Sequence, residues 1–338
     1  MPPNVARERC LTVTDLAVGF AARGGTILAL EDVSFYLDAG ETLSLLGESG
    51  SGKSVSAQAI MALLPDTAHI AAGSVGFAGK ELLALPRRET RRLCGTEMGM
   101  VFQDPLTALN PVFTVGDQIA ELFRVRQGLG RRAARNAAAE VIDTVGIPDA
   151  RRRLDNFPHQ FSGGMRQRLV IAMAIALRPR LLIADEPTTA LDVTVQAQIM
   201  DLLARLQREN DMAMLLITHD LGVVAEVTDR VAVMYSGRIV ETGDVRRVYD
   251  RPGHPYTRGL LASVPASAGG DRHQPLASIG GLPPNPQNRP QGCAFHPRCP
   301  FAQEICRIDR PPMVDLGDGH GATCHFAREM VADDRAFA

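Results

Sequence analysis

Hydrophobic and polar residues alternate along the first forty positions of the chain, with apolar side chains at positions 11, 13, 16, 18 and 20. The glycine-containing stretch AARGGT, residues 21–26, interrupts this alternation. A period of two residues is typical of strands with one buried face, and a glycine-rich break is typical of a turn. The amino-terminal segment therefore predicts an antiparallel hairpin or meander.

Further along the chain the apolar residues form short continuous runs instead of alternating. These runs are ETLSLLG at residues 41–47, MGMVFQ at 98–103, RLLIADE at 180–186 and MAMLLITHD at 212–220. Continuous apolar runs of this length predict strands of a parallel sheet that is covered on both faces. The later stretch RVAVMYSGRIVETG, residues 230–243, predicts a hairpin that turns at Ser236 and Gly237.

Other segments have the character of helices. SVSAQAIMALLP, residues 54–65, predicts a helix that its proline ends, and residues 104–160 are predicted to be mostly helical, with one helix ending at Gly146. After about residue 250, prolines and glycines become frequent and the regular periodicity fades. We therefore predict an α/β fold with a domain boundary near residue 250.

The composition is that of an ordinary globular protein of 338 residues, with 45% hydrophobic and 22% charged residues. A net charge of −2 creates no overall field that attracts nucleic acid or anionic lipid, and no basic patch has interleaved aromatic residues. No apolar run approaches the roughly 18–20 residues that span a bilayer. The amino terminus lacks the apolar core of a signal peptide, so we expect a cytosolic location.

The motif GESGSGKS fits the phosphate-binding pattern G-x-x-x-x-G-K-S/T and lies between a predicted strand and a predicted helix. Its glycines let backbone N–H groups close around phosphate oxygens, and the helix amino terminus adds positive potential. Lys53 is predicted to reach the β- and γ-phosphates of ATP, and Ser54 to ligate Mg²⁺. The chain has only two lysines, Lys53 and Lys80, so a chance match to a pattern that requires lysine is rare. The predicted ATP-binding residues of the motif are Gly47, Glu48, Ser49, Gly50, Ser51, Gly52, Lys53 and Ser54.

The segment LLIADE, residues 181–186, combines a predicted buried strand with two carboxylates at its carboxyl end. Asp185 is predicted to bind Mg²⁺, directly or through water, and Glu186 to polarise the attacking water. Taken alone, the same segment also describes a strand that ends in a solvated acidic loop. Its position after a phosphate-binding motif favours the catalytic interpretation.

The segment FSGGMRQR, residues 161–168, places a serine and two glycines before a predicted helix. Ser162 can cap that helix, while Gly163 and Gly164 allow the backbone to approach a phosphate closely. Here the chain resembles the ATP-binding cassette (ABC) ATPases, whose signature is usually LSGGQ rather than FSGGM. The resemblance implies that these three residues contact the γ-phosphate of ATP bound to a partner subunit.

The same resemblance implies an α/β fold with a P-loop ABC core: a RecA-like parallel sheet, an antiparallel β subdomain and a helical subdomain. The nucleotide-binding domain is predicted to span residues 1–250, with the helical subdomain at about 104–165. Residues 251–338 are then predicted to form a small, irregular, metal-binding extension of the oligopeptide-importer type.

Further elements of the family follow in order along the chain. Gln103 in VFQDP resembles the Q-loop glutamine that senses Mg²⁺ and couples to the transmembrane partner, and Asp192 in TALD belongs to the D-loop. His219 in LITHD resembles the switch histidine that contacts the γ-phosphate. Phe20 is interpreted either as an aromatic residue that stacks on adenine or as an ordinary strand core residue. The predicted catalytic residues are Glu186, His219 and Gln103, and the predicted Mg²⁺-binding residues are Ser54, Gln103 and Asp185.

Several stretches resemble the D-type ATPase subunits of oligopeptide, dipeptide and nickel importers: HPYTRGLL, GESGSGKSV, FSGGMRQR and IADEPTTALDVTVQAQI. This resemblance implies import of di- or oligopeptides, or alternatively of nickel or another solute. It also implies a second, non-identical ABC ATPase subunit, two transmembrane permease subunits and an extracytoplasmic solute-binding protein. The chain is then peripheral, on the cytoplasmic face of the inner membrane. A non-transport ABC ATPase acting on nucleic acid or ribosomes is the alternative of another class, although we expect no nucleic-acid partner.

Four of the six cysteines lie in the carboxyl-terminal part, residues 251–338. Their separations of five, six and seventeen residues lack the tight pair usual for structural zinc and do not match ferredoxin runs. Spacing therefore leaves an iron–sulfur cluster, zinc or no metal open. The resemblance to D-type subunits implies a 4Fe–4S cluster, with zinc as the runner-up. The predicted ligands are Cys293, Cys299, Cys306 and Cys324, and His296 and His325 flank them.

Overall fold

The structure is a computed structural model that describes residues 8–23, 25–189, 191–263 and 278–332. Its strands, in chain order, are β1 (Arg9–Ala22), β2 (Gly25–Asp38), β3 (Thr42–Leu46), β4 (Ala68–Phe77), β5 (Lys80–Glu81), β6 (Met98–Val101), β7 (Leu181–Asp185), β8 (Ala213–Thr218), β9 (Arg230–Tyr235), β10 (Arg238–Asp244), β11 (Val314–Gly317) and β12 (His320–Ala322). Its helices are α1 (Lys53–Ile60), α2 (Arg87–Leu93), α3 (Pro105–Ala108), α4 (Val115–Gln127), α5 (Arg131–Thr144), α6 (Ala150–Arg153), α7 (Gly163–Ile175), α8 (Val193–Asn210), α9 (Leu221–Val227), α10 (Val245–Asp250), α11 (Pro255–Ala262), α12 (Glu304–Ile308) and α13 (Ala327–Ala332).

The chain forms two compact units that alternate along the sequence. In their described parts, the first unit consists of Met1–Leu11, Tyr36–Thr42 and Gly76–Ile217, and the second of Thr12–Phe35, Leu43–Val75 and Thr218–Ala338. The phosphate-binding motif and the four carboxyl-terminal cysteines belong to the second unit, whereas the LLIADE and signature segments belong to the first. The domain boundary near residue 250 stays a prediction.

A parallel sheet lies at the centre of the first unit. β6 pairs in parallel with β7, with Met98 opposite Leu181, and β7 pairs in parallel with β8, with Leu181 opposite Ala213. Every residue of β7 and β8 is buried, because both faces of these strands are covered. The parallel strands predicted from the continuous apolar runs are therefore confirmed.

Helices dominate residues 104–160 of the first unit and confirm the helical prediction for this stretch. α4 packs against α5, and α5 packs against α7. α5 buries small and aliphatic side chains, including Ala134, Ala138 and Ile142, on one face. Since these residues recur every four positions, they form the apolar stripe that an amphipathic helix needs. α7, which follows the signature serine, packs against α4 and α5.

The second unit contains a sheet with the strand order β11-β12-β10-β9-β3. β3 and β9 are parallel, while β9 and β10 form the predicted antiparallel hairpin. Its turn residues Ser236 and Gly237 have φ angles of 50° and 77°, the positive values that a two-residue hairpin turn requires. β10 also pairs with β12, so the carboxyl-terminal part contributes strands to this sheet.

A further sheet contains β2, β1 and β4 as neighbours in that order, which confirms the hairpin predicted for the amino-terminal segment. Helix α1 is shorter than predicted, because it ends at Ile60 instead of continuing towards Pro65. Ala62 adopts a left-handed φ of 53°, so a right-handed α-helix cannot extend through this residue. In the parts of the chain described above, no helix has both the length and the apolar character needed to cross a membrane.

Candidate functional site

The phosphate-binding motif forms a tight loop between the buried strand β3 and helix α1. Gly47 (φ 153°) and Gly52 (φ 108°) adopt backbone angles that favour glycine. A Cβ atom at Gly47 would lie 2.3 Å from the carbonyl oxygen of Met234, and one at Gly52 would lie 2.5 Å from a methyl carbon of Leu30. Glycine is therefore required at both positions, as the motif predicts.

Lys53, the first residue of α1, is buried, and its ammonium group contacts the loop. Nζ donates hydrogen bonds to the carbonyl oxygens of Gly47 at 2.7 Å and Glu48 at 3.0 Å. The Ser51 hydroxyl is buried and has no hydrogen-bond partner among the described residues. A buried cation and an unsatisfied hydroxyl therefore lie together at a helix amino terminus. Cations, hydroxyl donors and helix amino termini all bind phosphate.

Glu48 in the same loop contacts residues of the carboxyl-terminal part. Its backbone N–H donates a hydrogen bond of 2.9 Å to the phenol oxygen of Tyr256. Its carboxylate accepts two hydrogen bonds from Arg298, at 2.7 and 2.9 Å. Sequence reasoning missed both contacts, because the partners lie 208 and 250 residues away and no motif links them.

Asp185 and Glu186 lie at the carboxyl end of β7 in the first unit. Asp185 is buried, and Glu186 has a left-handed φ of 46°. The N–H of Glu186 donates a hydrogen bond of 2.8 Å to the carbonyl oxygen of Ile217. A non-glycine residue in this backbone region is strained, and such strain concentrates at functional sites. Acidic turn residues such as Asp211 (φ 49°) and Asp318 (φ 50°) share this conformation, so the catalytic role of Glu186 stays a prediction.

Two side chains donate hydrogen bonds to the same carboxylate oxygen of Glu186. Gln103 Nε2 and Thr189 Oγ1 each lie 2.9 Å from Oε2. Gln103 and Glu186 were predicted separately, and the structure brings them into contact. Sequence reasoning missed Thr189, although it is visible three residues after the glutamate in ADEPTT, because the direction of its hydroxyl depends on the loop conformation.

The signature and D-loop segments of the first unit both begin helices. Ser162 caps α7, and its Oγ accepts a hydrogen bond of 3.4 Å from the N–H of the third helical residue. Asp192 caps α8 by accepting a hydrogen bond of 3.0 Å from the N–H of Val195. Gly163 and Gly164 open α7, and a Cβ atom on Gly164 would lie 2.6 Å from Val195. A larger residue at Gly164 would therefore separate the two helix starts.

The remaining predicted residues occupy different environments. Ser54 is the second residue of α1 and is partly buried, while Ser49 and Gly50 are exposed at the loop. His219 directly follows β8 and is exposed. Phe20 lies near the end of β1 and is half-buried, which suits both of the roles predicted for it.

The four carboxyl-terminal cysteines line a single cavity. The N–H of Cys293 donates a hydrogen bond of 2.9 Å to the carbonyl oxygen of Cys306. Burial, together with a smaller effect of negative charge on the neighbouring cysteines, raises the pKa of the Cys299 thiol to about 11 and that of Cys324 to about 12. The four thiols are therefore close enough to influence one another electrostatically.

The neighbouring histidines are engaged with the backbone. His296 Nδ1 lies 2.9 Å from the carbonyl oxygen of Cys293, and His325 Nε2 lies 2.9 Å from that of Asp309. Among residues 8–23, 25–189, 191–263 and 278–332, no three or more His, Cys, Asp or Glu side chains are grouped so that they could hold a metal ion. The structure therefore does not support the prediction that the carboxyl-terminal extension binds a metal ion.

These features define a P-loop nucleotide-binding protein. Residues 30–189 match the family ABC transporter, and residues 240–306 match the family Oligopeptide/dipeptide transporter, C-terminal region. The oligopeptide transport ATP-binding protein OppD of Bacillus subtilis is 51% identical over 313 residues, which cover 92% of this chain and 87% of OppD. The dipeptide transport ATP-binding protein DppD of Escherichia coli is 48% identical over 316 residues, covering 94% and 96%. The chain therefore belongs to the ATP-binding subunits of the oligopeptide/dipeptide group of ABC transporters.

The fold is similar to that of a solved structure with a bound product. The dimeric post-hydrolysis structure of the ATP-binding cassette MJ0796, bound to ADP and Pi, superposes with a TM-score of 0.63 and is 26% identical. The match covers 70% of this chain and 99% of that cassette. The predicted ABC ATPase fold is therefore confirmed for the cassette core.

Proposed function

We propose that this chain binds and hydrolyses ATP to drive the import of dipeptides or oligopeptides through an ABC transporter. The names of its relatives OppD and DppD specify oligopeptide and dipeptide transport. The observation that carries the ATPase role is the position of Lys53, whose buried ammonium group is held by carbonyl oxygens of the phosphate loop. Burying a cation is costly, so its retention at a helix amino terminus favours an anionic ligand.

The chain's own residues divide the ATPase chemistry among them. Backbone N–H groups of the loop, other than that of Glu48, which donates to Tyr256, bind the phosphates, and Lys53 stabilises the β- and γ-phosphate charge. The oxygen donors of Ser54, Gln103 and Asp185 suit Mg²⁺, which neutralises phosphate charge when it is bound.

Glu186 acts as the general base for the attacking water, and its carboxylate is oriented before the reaction. Gln103 and Thr189 donate to one of its oxygens, which limits its rotation. His219 contacts the γ-phosphate, and Asp192 holds the D-loop at the start of α8. This division makes Glu186 the residue most specific to hydrolysis as opposed to binding.

Ser162, Gly163 and Gly164 bind the ATP of a second, non-identical ABC ATPase subunit. They occupy the amino terminus of α7, where helix N–H groups favour negative charge. The related cassette MJ0796 is a dimer in its structure with ADP and Pi, which supports association of two cassettes. ATP binding then favours the closed pair and hydrolysis favours the open pair, a population shift driven by differential affinity.

The working complex also contains two permease subunits and an extracytoplasmic solute-binding protein. The chain is peripheral to it, on the cytoplasmic face of the inner membrane. The match to the oligopeptide/dipeptide transporter C-terminal region supports this assignment.

Reconstitution of the complex tests the transport role. The chain is co-expressed with its permeases and the second ATPase subunit, purified, and placed in liposomes with the solute-binding protein. Peptide-loaded binding protein should stimulate ATP hydrolysis several-fold, whereas nickel-loaded protein and nucleic acid should not. Stimulation by nickel or by nucleic acid alone would replace the peptide proposal with one of the other two functions.

For the carboxyl-terminal part we propose that Cys293, Cys299, Cys306 and Cys324 ligate a 4Fe–4S cluster. Four thiols that share one cavity supply the ligand set of such a cluster. When bound, the cluster cross-links distant points of the chain, and these thiols hold it as thiolates.

Metal analysis tests this assignment. The full chain is purified without oxygen, and iron, acid-labile sulfide and zinc are quantified. Iron and sulfide should each approach a ratio of about four per chain. The Cys324→Ser variant should lose most of both, while Cys10→Ser should keep them. A colourless wild-type protein with one equivalent of zinc would overturn the cluster and establish zinc.

A further inference from the structure

Glu48 links the phosphate loop to the carboxyl-terminal part of the second unit. Arg298 donates from Nη1 to Oε2 at 2.7 Å and from Nη2 to Oε1 at 2.9 Å, which makes the ion pair bidentate. Tyr256 accepts a hydrogen bond from the backbone N–H of the same glutamate. The carbonyl oxygen of Glu48 accepts from Lys53, so one residue joins Arg298 to the loop cation.

Contacts other than its ion pair with Glu48 also hold the Arg298 side chain in place. Its side chain is only 5% exposed. Nε donates to the carbonyl oxygen of Gly280 at 2.9 Å, and Nη1 lies 3.4 Å from the hydroxyl of Tyr235. Exposed ion pairs contribute little, because two mobile side chains lose freedom and water screens their charges. A bidentate pair whose arginine side chain is buried and held by other contacts does not suffer those losses to the same extent.

The charge of Glu48 opposes the function of its loop. A carboxylate within a phosphate-binding loop repels phosphate, and its charge offsets that of Lys53. The guanidinium of Arg298 neutralises this carboxylate through two charge-assisted hydrogen bonds. Because Arg298 is always protonated, the neutralisation persists at every physiological pH.

We propose that Arg298 is a positioning residue for the ATP-binding loop. By neutralising and holding Glu48, it maintains the charge and conformation with which the loop binds ATP. The carboxyl-terminal part, including the segment beside Cys299, therefore contributes directly to nucleotide affinity. This inference rests on the proposed role of residues 47–54 in ATP binding and extends it to a distant residue.

Nucleotide titration of the full chain tests the proposal, with the variants Arg298→Ala, Glu48→Gln and both combined. Arg298→Ala should weaken MgATP binding about tenfold and MgADP binding less, because ADP carries less charge. Glu48→Gln removes the repulsive charge and keeps the loop backbone, so Arg298→Ala should cost less ATP affinity in this background than in the wild type. The double variant should return to within about twofold of the wild type, because the repulsive carboxylate is gone. Arg310→Ala is the matched control, since it removes the ion pairs to Asp32 and Glu31 outside the loop.

Arg298→Gln is measured alongside, because it keeps hydrogen-bond donors without the charge and guards against misfolding of the alanine variant. In the reconstituted transporter, both substitutions of Arg298 should raise the KM for ATP and leave kcat within about twofold. The positioning role is overturned if a folded Arg298 variant binds ATP like the wild type, or if removing the Glu48 charge fails to restore affinity. A tenfold loss in Glu48→Gln alone would also overturn it. Failure of the wild type to bind ATP would instead refute the proposed function of the loop.

Discussion

Gln103 and Glu186 are joined by a hydrogen bond of 2.9 Å between Nε2 and Oε2, although they lie 83 residues apart in the chain. Thr189 donates to the same oxygen at 2.9 Å, and the backbone of Glu186 is left-handed. Two donors and a restrained backbone fix the carboxylate in one orientation. A general base benefits from such restraint, because proton transfer requires a defined distance to the water.

Glu186→Gln should abolish hydrolysis while leaving ATP binding intact. The amide keeps the size of the side chain but cannot accept a proton, so turnover should fall by at least about 100-fold. The dissociation constant of MgATP should stay within about twofold. Phosphate release and nucleotide titration provide the two measurements. Glu209→Gln, which removes an exposed ion pair with Arg205, is the control and should keep wild-type turnover. Retained hydrolysis in Glu186→Gln would exclude Glu186 as the base.

Thr189→Val should reduce hydrolysis without changing ATP affinity. Valine has nearly the same shape as threonine but donates no hydrogen bond, so Glu186 loses one of its two orienting donors. We expect kcat to fall about tenfold with KM for ATP unchanged. Thr144→Val, which removes a threonine hydroxyl from an exposed position at the end of α5, is the matched control. Equal kcat values for the two variants would show that Thr189 does not orient the base.

Local rules account for what the sequence predicted well. The parallel strands, the glycines of the phosphate loop and the serine cap of α7 each depend on residues within one element. Contacts between distant positions were not predictable in this way. The pairing of Glu241 in β10 with Ala322 in β12 depends on how the chain returns after 80 residues without clear periodicity. The contact between Arg298 and Glu48 was missed because Glu48 belongs to the phosphate-binding motif, whereas nothing in the linear sequence links Arg298, 250 residues away, to that motif.

Lys53→Ala should eliminate measurable ATP binding at nucleotide concentrations that saturate the wild type. The substitution removes the buried ammonium group and leaves two loop carbonyl oxygens without their donor. Lys80→Ala is the control, because it changes the other lysine, which is exposed in β5. Equilibrium titration with a fluorescent ATP analogue separates the two variants. Equal affinity in both would contradict the assignment of residues 47–54 as the ATP site.

Ser162→Ala should lower both stability and activity, whereas Thr114→Ala should lower stability alone. Each residue caps a helix of the first unit, so each loss should cost about 1 kcal/mol of unfolding free energy. Ser162 is also proposed to contact the ATP of the partner subunit, so its loss should reduce hydrolysis by the assembled pair. Urea unfolding and ATPase assays measure the two effects. Similar ATPase activities for the two variants would show that Ser162 acts only as a helix cap and does not contact the partner's ATP.

Stability should decrease as the pH falls below about 6.5, through His254. Burial lowers the pKa of this histidine from 6.5 to about 3, and its Nδ1 accepts a hydrogen bond from the N–H of Tyr256 at 3.0 Å. The unfolded chain therefore binds the proton more readily, so this stability is complete above 6.5 and is lost as the pH falls towards 3. The folding equilibrium should change by up to about tenfold per pH unit. Urea unfolding of wild type and His254→Asn between about pH 7.5 and 5.5 should show a shallower dependence in the variant. Parallel curves would mean that His254 does not stay neutral in the folded chain.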